Sequence, residues 1–127
     1  MEPFCAFQTA TKAVGKGRPR FGGGRVFTPQ ATVRFEKLIG WEAKVRMGNR
    51  KPTPHPVAVS IVITRKRPKK TKLPAPSGDT DNFVKSILDG MNGIVFVDDR
   101  QVVQMNAMKQ WGEADMITVI VQERLAA

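Results

Sequence analysis

The run VAVSIVITRK at residues 57–66 is the strongest hydrophobic pattern in the chain. Successive side chains of a strand point to opposite faces of its sheet. Val57, Val59 and Ile61 share one face, while Ala58 and Val62 share the other. Because both faces are largely apolar, the pattern predicts a strand with a central position in a sheet.

Shorter strand patterns lie near the start of the chain. PFCAFQ at 3–8 predicts a first strand, and a segment with five glycines follows at 15–29. Glycine at this density excludes a helix there and indicates turns or a mobile arm. Within the segment, RPRF at 18–21 and RVF at 25–27 predict a small hairpin that turns at the glycine triplet.

The last third of the chain contains two segments in which apolar and polar residues alternate. QVVQMNAMKQ at 101–110 and DMITVIVQE at 115–123 are typical of strands, and WGEA at 111–114 joins them. Two alternating runs with a short connection predict an antiparallel hairpin.

A first helix is predicted from about Pro29 to Met47. Thr28 suits the N-cap, and Pro29 suits the first helical position because its missing N–H has no partner there in any case. GNRKPTPHP at 48–56 ends this helix. The apolar stripe that we expect to face the core consists of Val33, Leu38, Trp41 and Val45, widened by Phe35, Ile39 and Met47.

A second helix is predicted over about Asp81–Met91, with Asp79 or Thr80 at its N-cap. Its apolar face comprises Val84, Ile87, Leu88 and Met91, with Phe83 at the edge. Asp81, Lys85 and Asp89 are spaced i, i+4, i+8, so they form a separate charged stripe on the helix.

The order strand, helix, strand, helix, strand, strand predicts the fold class. We expect an α/β protein with a mixed β-sheet packed by two main helices, and a single small domain over residues 1–127. The chain shows no run of the roughly 20 apolar residues needed to span a bilayer and no signal-peptide pattern, which predicts a cytoplasmic protein without a membrane partner. The single cysteine, Cys5, excludes an internal disulfide and is interpreted as a buried apolar residue.

The charge is distributed unevenly along the chain. The net charge is +10, and residues 1–72 hold 17 Lys and Arg against 3 Asp and Glu. Residues 73–127 hold 4 and 8. A basic field beside an acidic patch favours a polyanionic partner, because lysine and arginine displace counterions from phosphates.

Five of the six aspartates fall within GDTDNFVKSILDGMNGIVFVDDRQ, residues 78–101. Some of them suit a helix cap, a turn or a solvated salt-bridged face. An EF-hand is excluded, because its fifth ligand position would be Phe83 and its terminal glutamate Gly90. Clustered aspartates repel one another unless a cation neutralises them, and carboxylates without histidine or cysteine favour Mg²⁺ or Mn²⁺ over zinc.

RKRPKKTK at 65–72 carries six positive charges directly before these acids. Such a run also fits a localisation signal or a solvated loop. Next to two or three carboxylates and a lysine, however, it indicates metal-assisted hydrolysis of a phosphodiester, in which basic residues hold the flanking phosphates.

The stretch DTDNFVKSILDGMNGIVFVDDRQVV, residues 79–103, resembles the RusA-type Holliday junction resolvases. The similarity lies in D-x-D-N, a lysine four residues after the second aspartate, Asp89, and then an Asp-Asp pair followed by QV. GKGRPRF and the predicted closing hairpin are also similar to a branch of that family with a basic N-terminal segment. The opening segment lacks the proline- and asparagine-rich sequence of better-known members, so the resemblance does not assign junction-binding residues in that segment.

The resemblance implies a RusA-like fold, a homodimer, and Mg²⁺- or Mn²⁺-dependent paired cleavage of four-way DNA junctions in recombination and repair, with no organic cofactor. It implies that the metal ligands are Asp79, Asp81 and Asp99, with Asp98 as the alternative to Asp99, and that the active-site lysine is Lys85. Composition adds candidate phosphate contacts at Lys16, Arg18, Arg20, Arg25, Arg65, Lys66, Arg67, Lys69, Lys70 and Lys72.

Aromatic residues offer a further kind of contact, because unpaired bases stack on aromatic rings. The candidates are Phe21, Phe27, Trp41 and Trp111, with Trp41 assigned to the core. Two other functions stay open from the sequence. One is a non-catalytic basic DNA-binding protein whose acids only cap helices and balance charge, and the other is a metal nuclease acting on flaps or forks.

Overall fold

A mixed four-stranded sheet with two helices on one face organises the chain. The computed structural model describes residues 2–16, 20–22, 25–27 and 29–125. The strands are β1 (Cys5–Thr9), β2 (Arg20–Gly22), β3 (Arg25–Phe27), β4 (Val57–Lys66), β5 (Val102–Gly112) and β6 (Met116–Glu123). The helices are α1 (Gln30–Met47) and α2 (Thr80–Met91), and a short 3₁₀ turn covers Asp99–Gln101.

Strand β4 has the predicted central position, in the order β1-β6-β4-β5. The faces of β4 differ in burial: Val57, Val59, Ile61 and Ile63 are at most 1% exposed, whereas the alternate residues are only partly buried. The first set packs under the helices. The opposite face of the sheet is therefore the open one, which explains how a central strand is apolar on both sides without being covered on both.

The predicted hairpin of the last two strands is wrong. Strand β5 pairs in parallel with β4, and β6 pairs antiparallel with both β4 and β1. Residues 113–115 carry the chain across the end of β4, where Asp115 Oδ1 accepts a hydrogen bond from the Lys66 N–H at 2.9 Å. A short connection usually joins neighbouring strands, but here the most apolar strand of the chain occupies the position between them.

Helix α1 confirms the predicted span to within one residue. The helix begins at Gln30, with Pro29 just outside it, and Thr28 lies outside the described residues. Its buried positions include Phe35, Ile39 and Met47. The assignment of Trp41 to the core is wrong, because Trp41 is 65% exposed.

The wrong assignment of Trp41 arises because the apolar stripe predicted for α1 is wider than the face that the helix buries. Val45, from the same predicted stripe, is 60% exposed. The buried face instead includes the small residues Thr32, Gly40 and Ala43, and Gly40 approaches α2, since a Cβ there would lie 3.0 Å from the Gly90 carbonyl oxygen. Close helix packing, and not hydrophobicity alone, decided which face turned inward.

Helix α2 packs its Phe83–Ile87–Met91 side into the core, while Val84 and Leu88 are partly buried at the edge of that contact. Gly90 lets α1 approach closely: a Cβ at this position would lie 2.8 Å from the carbonyl oxygen of Glu36 and 2.9 Å from Ile39 Cβ. The core beneath both helices also includes Cys5, which is 2% exposed as predicted.

The first strands largely match their prediction. β1 covers Cys5–Thr9, and β2 and β3 pair antiparallel as predicted, while the predicted turn at residues 23 and 24 lies outside the described residues. No helix among the described residues is both long enough and apolar enough to cross a membrane.

Candidate active site

The start of α2 presents the first two candidate ligands to solvent. Asp79 precedes the helix and Asp81 lies in its first turn, and both are exposed. Asp79 occupies the N-cap, as predicted, but its side chain makes no cap hydrogen bond; its carbonyl oxygen accepts from the Phe83 N–H at 3.2 Å. Both carboxylates lie at the positive end of the helix dipole, which stabilises them there.

Gly78 fixes the entry into this helix. It has a φ of 97°, and a Cβ there would lie 2.6 Å from Cζ of the Phe83 ring. Only glycine is comfortable with both constraints. Lys109, from strand β5, donates a hydrogen bond to the Gly78 carbonyl at 2.5 Å and so ties the loop before Asp79 to the sheet.

Lys85 joins the two halves of the aspartate motif. Its Nζ lies 3.0 Å from Asp89 Oδ1 and 3.1 Å from Asp99 Oδ2, although the two aspartates belong to different elements. Within the described chain Lys85 makes no ion pair with Asp81. The hydrogen bonds to Asp89 and then to Asp99 raise the pKa of the Lys85 ammonium, so it stays charged at neutral pH.

The neighbouring residues Asp98 and Asp99 have different surroundings. Asp98 caps the 3₁₀ turn: its Oδ1 accepts from the Arg100 N–H at 3.4 Å, and its own N–H donates to Gln101 Oε1 at 2.8 Å. That backbone hydrogen bond from Arg100 holds the pKa of Asp98 below its ordinary value. The prediction that Asp98 and Asp99 hold a turn is confirmed, and it is Asp99 that contacts Lys85.

Asp89 lies between two lysines. Its Oδ2 is 2.8 Å from Lys16 Nζ, and the same ammonium is 2.6 Å from Glu36 Oε1 on α1. Burial acts to raise the pKa of Asp89, but the hydrogen bonds from Lys16 and Lys85 outweigh it and the pKa is lowered. The result is a continuous chain of alternating charges from α1 across α2 to the 3₁₀ turn.

Lys16 reaches this chain because the segment before the glycine-rich region is attached to α2. The Ser86 hydroxyl, which is fully buried, donates to the Val14 carbonyl at 2.7 Å, and the Lys16 N–H donates to the Asn82 carbonyl at 3.0 Å. The predicted phosphate contact of Lys16 remains a prediction, although both carboxylates hold its ammonium in this structure.

The donor set fits an open magnesium site better than a closed cage. Across residues 2–16, 20–22, 25–27 and 29–125, no three histidine, cysteine, aspartate or glutamate side chains converge closely enough to enclose a metal ion. Mg²⁺ does not need such a cage, since it keeps several waters and uses one or two carboxylates together with substrate phosphates. Hard oxygens at the exposed Asp79 and Asp81 and at the partly buried Asp99 suit that mode.

The basic run lies at the carboxyl end of β4. Lys66, Arg67, Lys69 and Lys70 are exposed, and Arg67 N–H donates to the Gly112 carbonyl at 3.0 Å. The run and the end of β5 border a cleft of about 570 Å³. Of the other predicted phosphate contacts, Arg18 lies outside the described residues, and only the strands that carry Arg20 and Arg25 are described.

Comparison with protein families decides the identity of this arrangement. The family described as "Endodeoxyribonuclease RusA" matches residues 10–122 of the 127. The chain belongs to the RusA endodeoxyribonuclease family. The predicted resemblance and the α/β fold are thereby confirmed.

A relative from Bacillus subtilis (strain 168), described as "Uncharacterized protein YqaN", is 32% identical over 90 residues. The match covers 71% of this chain and 63% of that protein, so the chain spans less than two thirds of the relative's length.

The structure adds three site features that were not predicted from the sequence. Lys109 supports Gly78 from a neighbouring strand, and Lys16 contacts Asp89 from the N-terminal segment. Neither has a local signal, because both contacts depend on the tertiary fold. Gln101 closes the turn at Asp98 and donates to the carbonyl oxygens of Thr53 and His55 at 2.7 and 2.9 Å. The third feature did have a local signal, because Asp98 and Gln101 have the D-x-x-Q spacing of a capping box.

Proposed function

We propose that this protein is a divalent-metal-dependent endodeoxyribonuclease that resolves four-way DNA junctions in recombination and repair. The single observation that carries the proposal is the position of Lys85, whose ammonium joins Asp99 to the helix that begins at Asp79 and Asp81. Membership of the RusA family supports the reaction class.

In the proposed site, Asp79, Asp81 and Asp99 are the candidate carboxylate ligands for Mg²⁺ or Mn²⁺, and waters and substrate phosphates would complete the coordination. When bound, such an ion neutralises charge on a phosphate and lowers the pKa of a coordinated water toward neutrality. Asp98 is the less suitable ligand, because its carboxylate already caps the 3₁₀ turn and lies 3.6 Å from Arg100 Nε.

Lys85 is proposed to stabilise the scissile phosphate. Its side chain is 52% exposed, so its ammonium can contact a substrate without local unfolding. Asp89 holds Lys85 from one side at 3.0 Å and restricts where that charge lies. A charge placed in advance beside developing negative charge contributes most to phosphoryl chemistry, because no reorganisation is needed during the reaction.

The basic run at 65–72 is proposed to bind the DNA backbone. It follows β4, and Ser77 on the rim of the adjoining cleft is two residues before Asp79. DNA held by the run would therefore pass close to the carboxylates. Phosphate contacts of this kind orient a substrate but carry no sequence information.

We further propose that the active form is a homodimer. A four-way junction needs two incisions in opposed strands, and a two-fold axis places one site on each.

The proposed junction-resolving function is tested by incubating one concentration of protein with a four-way junction, a fork, a flap and a plain duplex, each in the presence and absence of Mg²⁺. Paired incisions confined to the junction are expected.

Faster cleavage of forks or flaps would replace junction resolution with a different branched-DNA activity. Binding of all four substrates without cleavage in Mg²⁺ or Mn²⁺ would instead support a non-catalytic DNA-binding protein.

A further inference from the structure

The cleft beside the basic run contains an aromatic side chain that the proposed hydrolysis does not use. Trp111 lies at the end of β5, in register with Arg65 at the end of β4. Both residues line the cleft of about 570 Å³, within the range of about 300–1,000 Å³ typical of ligand pockets. Trp111 is partly buried, so part of its surface is available to a ligand.

The indole of Trp111 is fixed in orientation. Its Nε1–H donates to the Leu73 carbonyl at 2.9 Å, which ties the polar edge of the ring to the loop after the basic run. That contact satisfies the only hydrogen-bond donor of the side chain. The remaining interactions open to Trp111 are stacking and van der Waals contacts.

Positive charge surrounds this ring. The cleft is lined by Lys12, Arg65, Lys66, Arg67 and Lys69. In the part of the chain that the structure describes, none of these five side chains has a carboxylate within ion-pair distance. The single acid of the cleft, Asp115, accepts a hydrogen bond from the Lys66 backbone N–H. The cleft therefore combines an oriented aromatic ring with uncompensated cations.

We infer that this cleft binds an unpaired nucleotide of single-stranded DNA, with its base stacked on Trp111 and its phosphates held by the surrounding cations. Aromatic stacking platforms in positively charged grooves are the means by which proteins hold single strands without sequence preference. A base inside an intact duplex cannot offer its face in this way. The inference rests on the proposed function, because a branched substrate presents unpaired or splayed nucleotides at its centre.

The decisive experiment uses Trp111 as its own reporter. The chain has two tryptophans, and Trp41 is 65% exposed, so Trp41→Phe leaves Trp111 as the sole tryptophan with little effect on folding. This variant is titrated without metal against a 12-nucleotide oligo(dT) strand and against an abasic strand of equal length and charge. We expect quenching of Trp111 fluorescence by oligo(dT) only, and affinity about 5–100-fold tighter than for the abasic strand.

A second comparison separates stacking from charge in the otherwise unaltered chain. Trp111→Phe is expected to keep most of the preference for oligo(dT) over the abasic strand, and Trp111→Ala to lose it. Arg67→Gln is expected to weaken both strands equally. Equal affinity of the Trp41→Phe variant for the two strands, or no quenching by oligo(dT), would overturn the inference whatever the folding of the Trp111 variants.

These readouts are independent of cleavage. Asp81→Asn, in the Trp41→Phe background, should leave the quenching unchanged. Loss of cleavage with intact quenching thus concerns the catalytic site alone. Cleavage by a protein that shows no base-dependent quenching would instead refute only the role of Trp111.

Discussion

At the scale of single residues, the geometry of the site depends on which carboxylates form ion pairs with the ammonium of Lys85. The spacing of α2 offered Asp81 and Asp89 as equal partners, but the structure pairs Lys85 with Asp89 and, from the 3₁₀ turn, with Asp99. The contact with Asp99 crosses from one element to another, so no helical periodicity predicts it. Asp81 is left exposed, so its carboxylate is accessible to a metal ion.

Lys85→Met tests the proposed role of the ammonium in the reaction. Methionine keeps the unbranched apolar chain and removes the charge, so we expect cleavage of a four-way junction to fall by roughly 10²–10³-fold. Junction binding measured without metal should change by less than tenfold. Lys51→Met, at an exposed position of the loop after α1, is the control for general loss of positive charge, and unchanged cleavage by Lys85→Met would refute the role.

Asp89→Asn tests whether the charge chain stabilises the fold. Since the folded-state pKa of Asp89 is lowered, its contribution is present above the unfolded pKa of about 3.9 and is lost as pH falls through the folded value. We expect Asp89→Asn to cost about 1 kcal/mol at pH 7, and the cost to shrink as the pH falls below the unfolded pKa.

Urea unfolding of both proteins between pH 2 and 7 measures this difference. A pH-independent difference would show that the effect of Asp89→Asn comes from altered packing and not from its charge.

At the scale of elements, hydrophobic pattern predicted most spans but not all faces. β4 was placed in full, and both helices began within one residue of the expected position. The exposed Trp41 shows the limit: an apolar residue on a helix is buried only if a partner element reaches it, and α2 lies against the small-residue side of α1 instead.

Gly90→Ala tests that close helix contact. Alanine is better than glycine within a helix by roughly 1 kcal/mol, so any loss of stability must come from packing. Because the new Cβ would lie 2.8 Å from the Glu36 carbonyl oxygen, we expect a net loss of about 1–2 kcal/mol. Lys37→Ala, at an exposed position of α1, should change the free energy of unfolding by less than about 0.5 kcal/mol.

Chemical denaturation of these two variants and the parent gives the comparison. A Gly90→Ala protein more stable than the parent would mean that the helices separate without penalty.

At the scale of the whole molecule, the sheet order was the main feature that the sequence did not predict. Local patterns identify strands, but they do not give the order of the strands in the sheet. In this sheet β4 lies between β5 and β6. That same order has a functional consequence. It brings the ends of β4 and β5 together, and with them the basic run and Trp111.

The distribution of charge predicts a salt effect on DNA binding. Replacing Arg67, Lys69 and Lys70 together by glutamine should lower the slope of log affinity against log salt by about 2–3, at about 0.9 for each lost phosphate contact. The matched control replaces Lys37, Lys44 and Lys51, which removes the same charge from α1 and the loop after it. Equal slopes for the two triple variants, measured on one junction, would show that binding depends on the net charge of the protein and not on contacts made by the basic run.

The most direct test of the central claim is cleavage of a four-way junction by the parent protein and by Asp81→Asn, each with and without Mg²⁺. Asparagine keeps the size of the side chain and removes the charge of an exposed ligand. We expect paired incisions in opposed strands by the parent only with Mg²⁺, and a loss of ~10²-fold or more in Asp81→Asn with folding and junction binding retained. Full activity in Asp81→Asn, or equal cleavage without any divalent metal, would refute the proposed metal-dependent site.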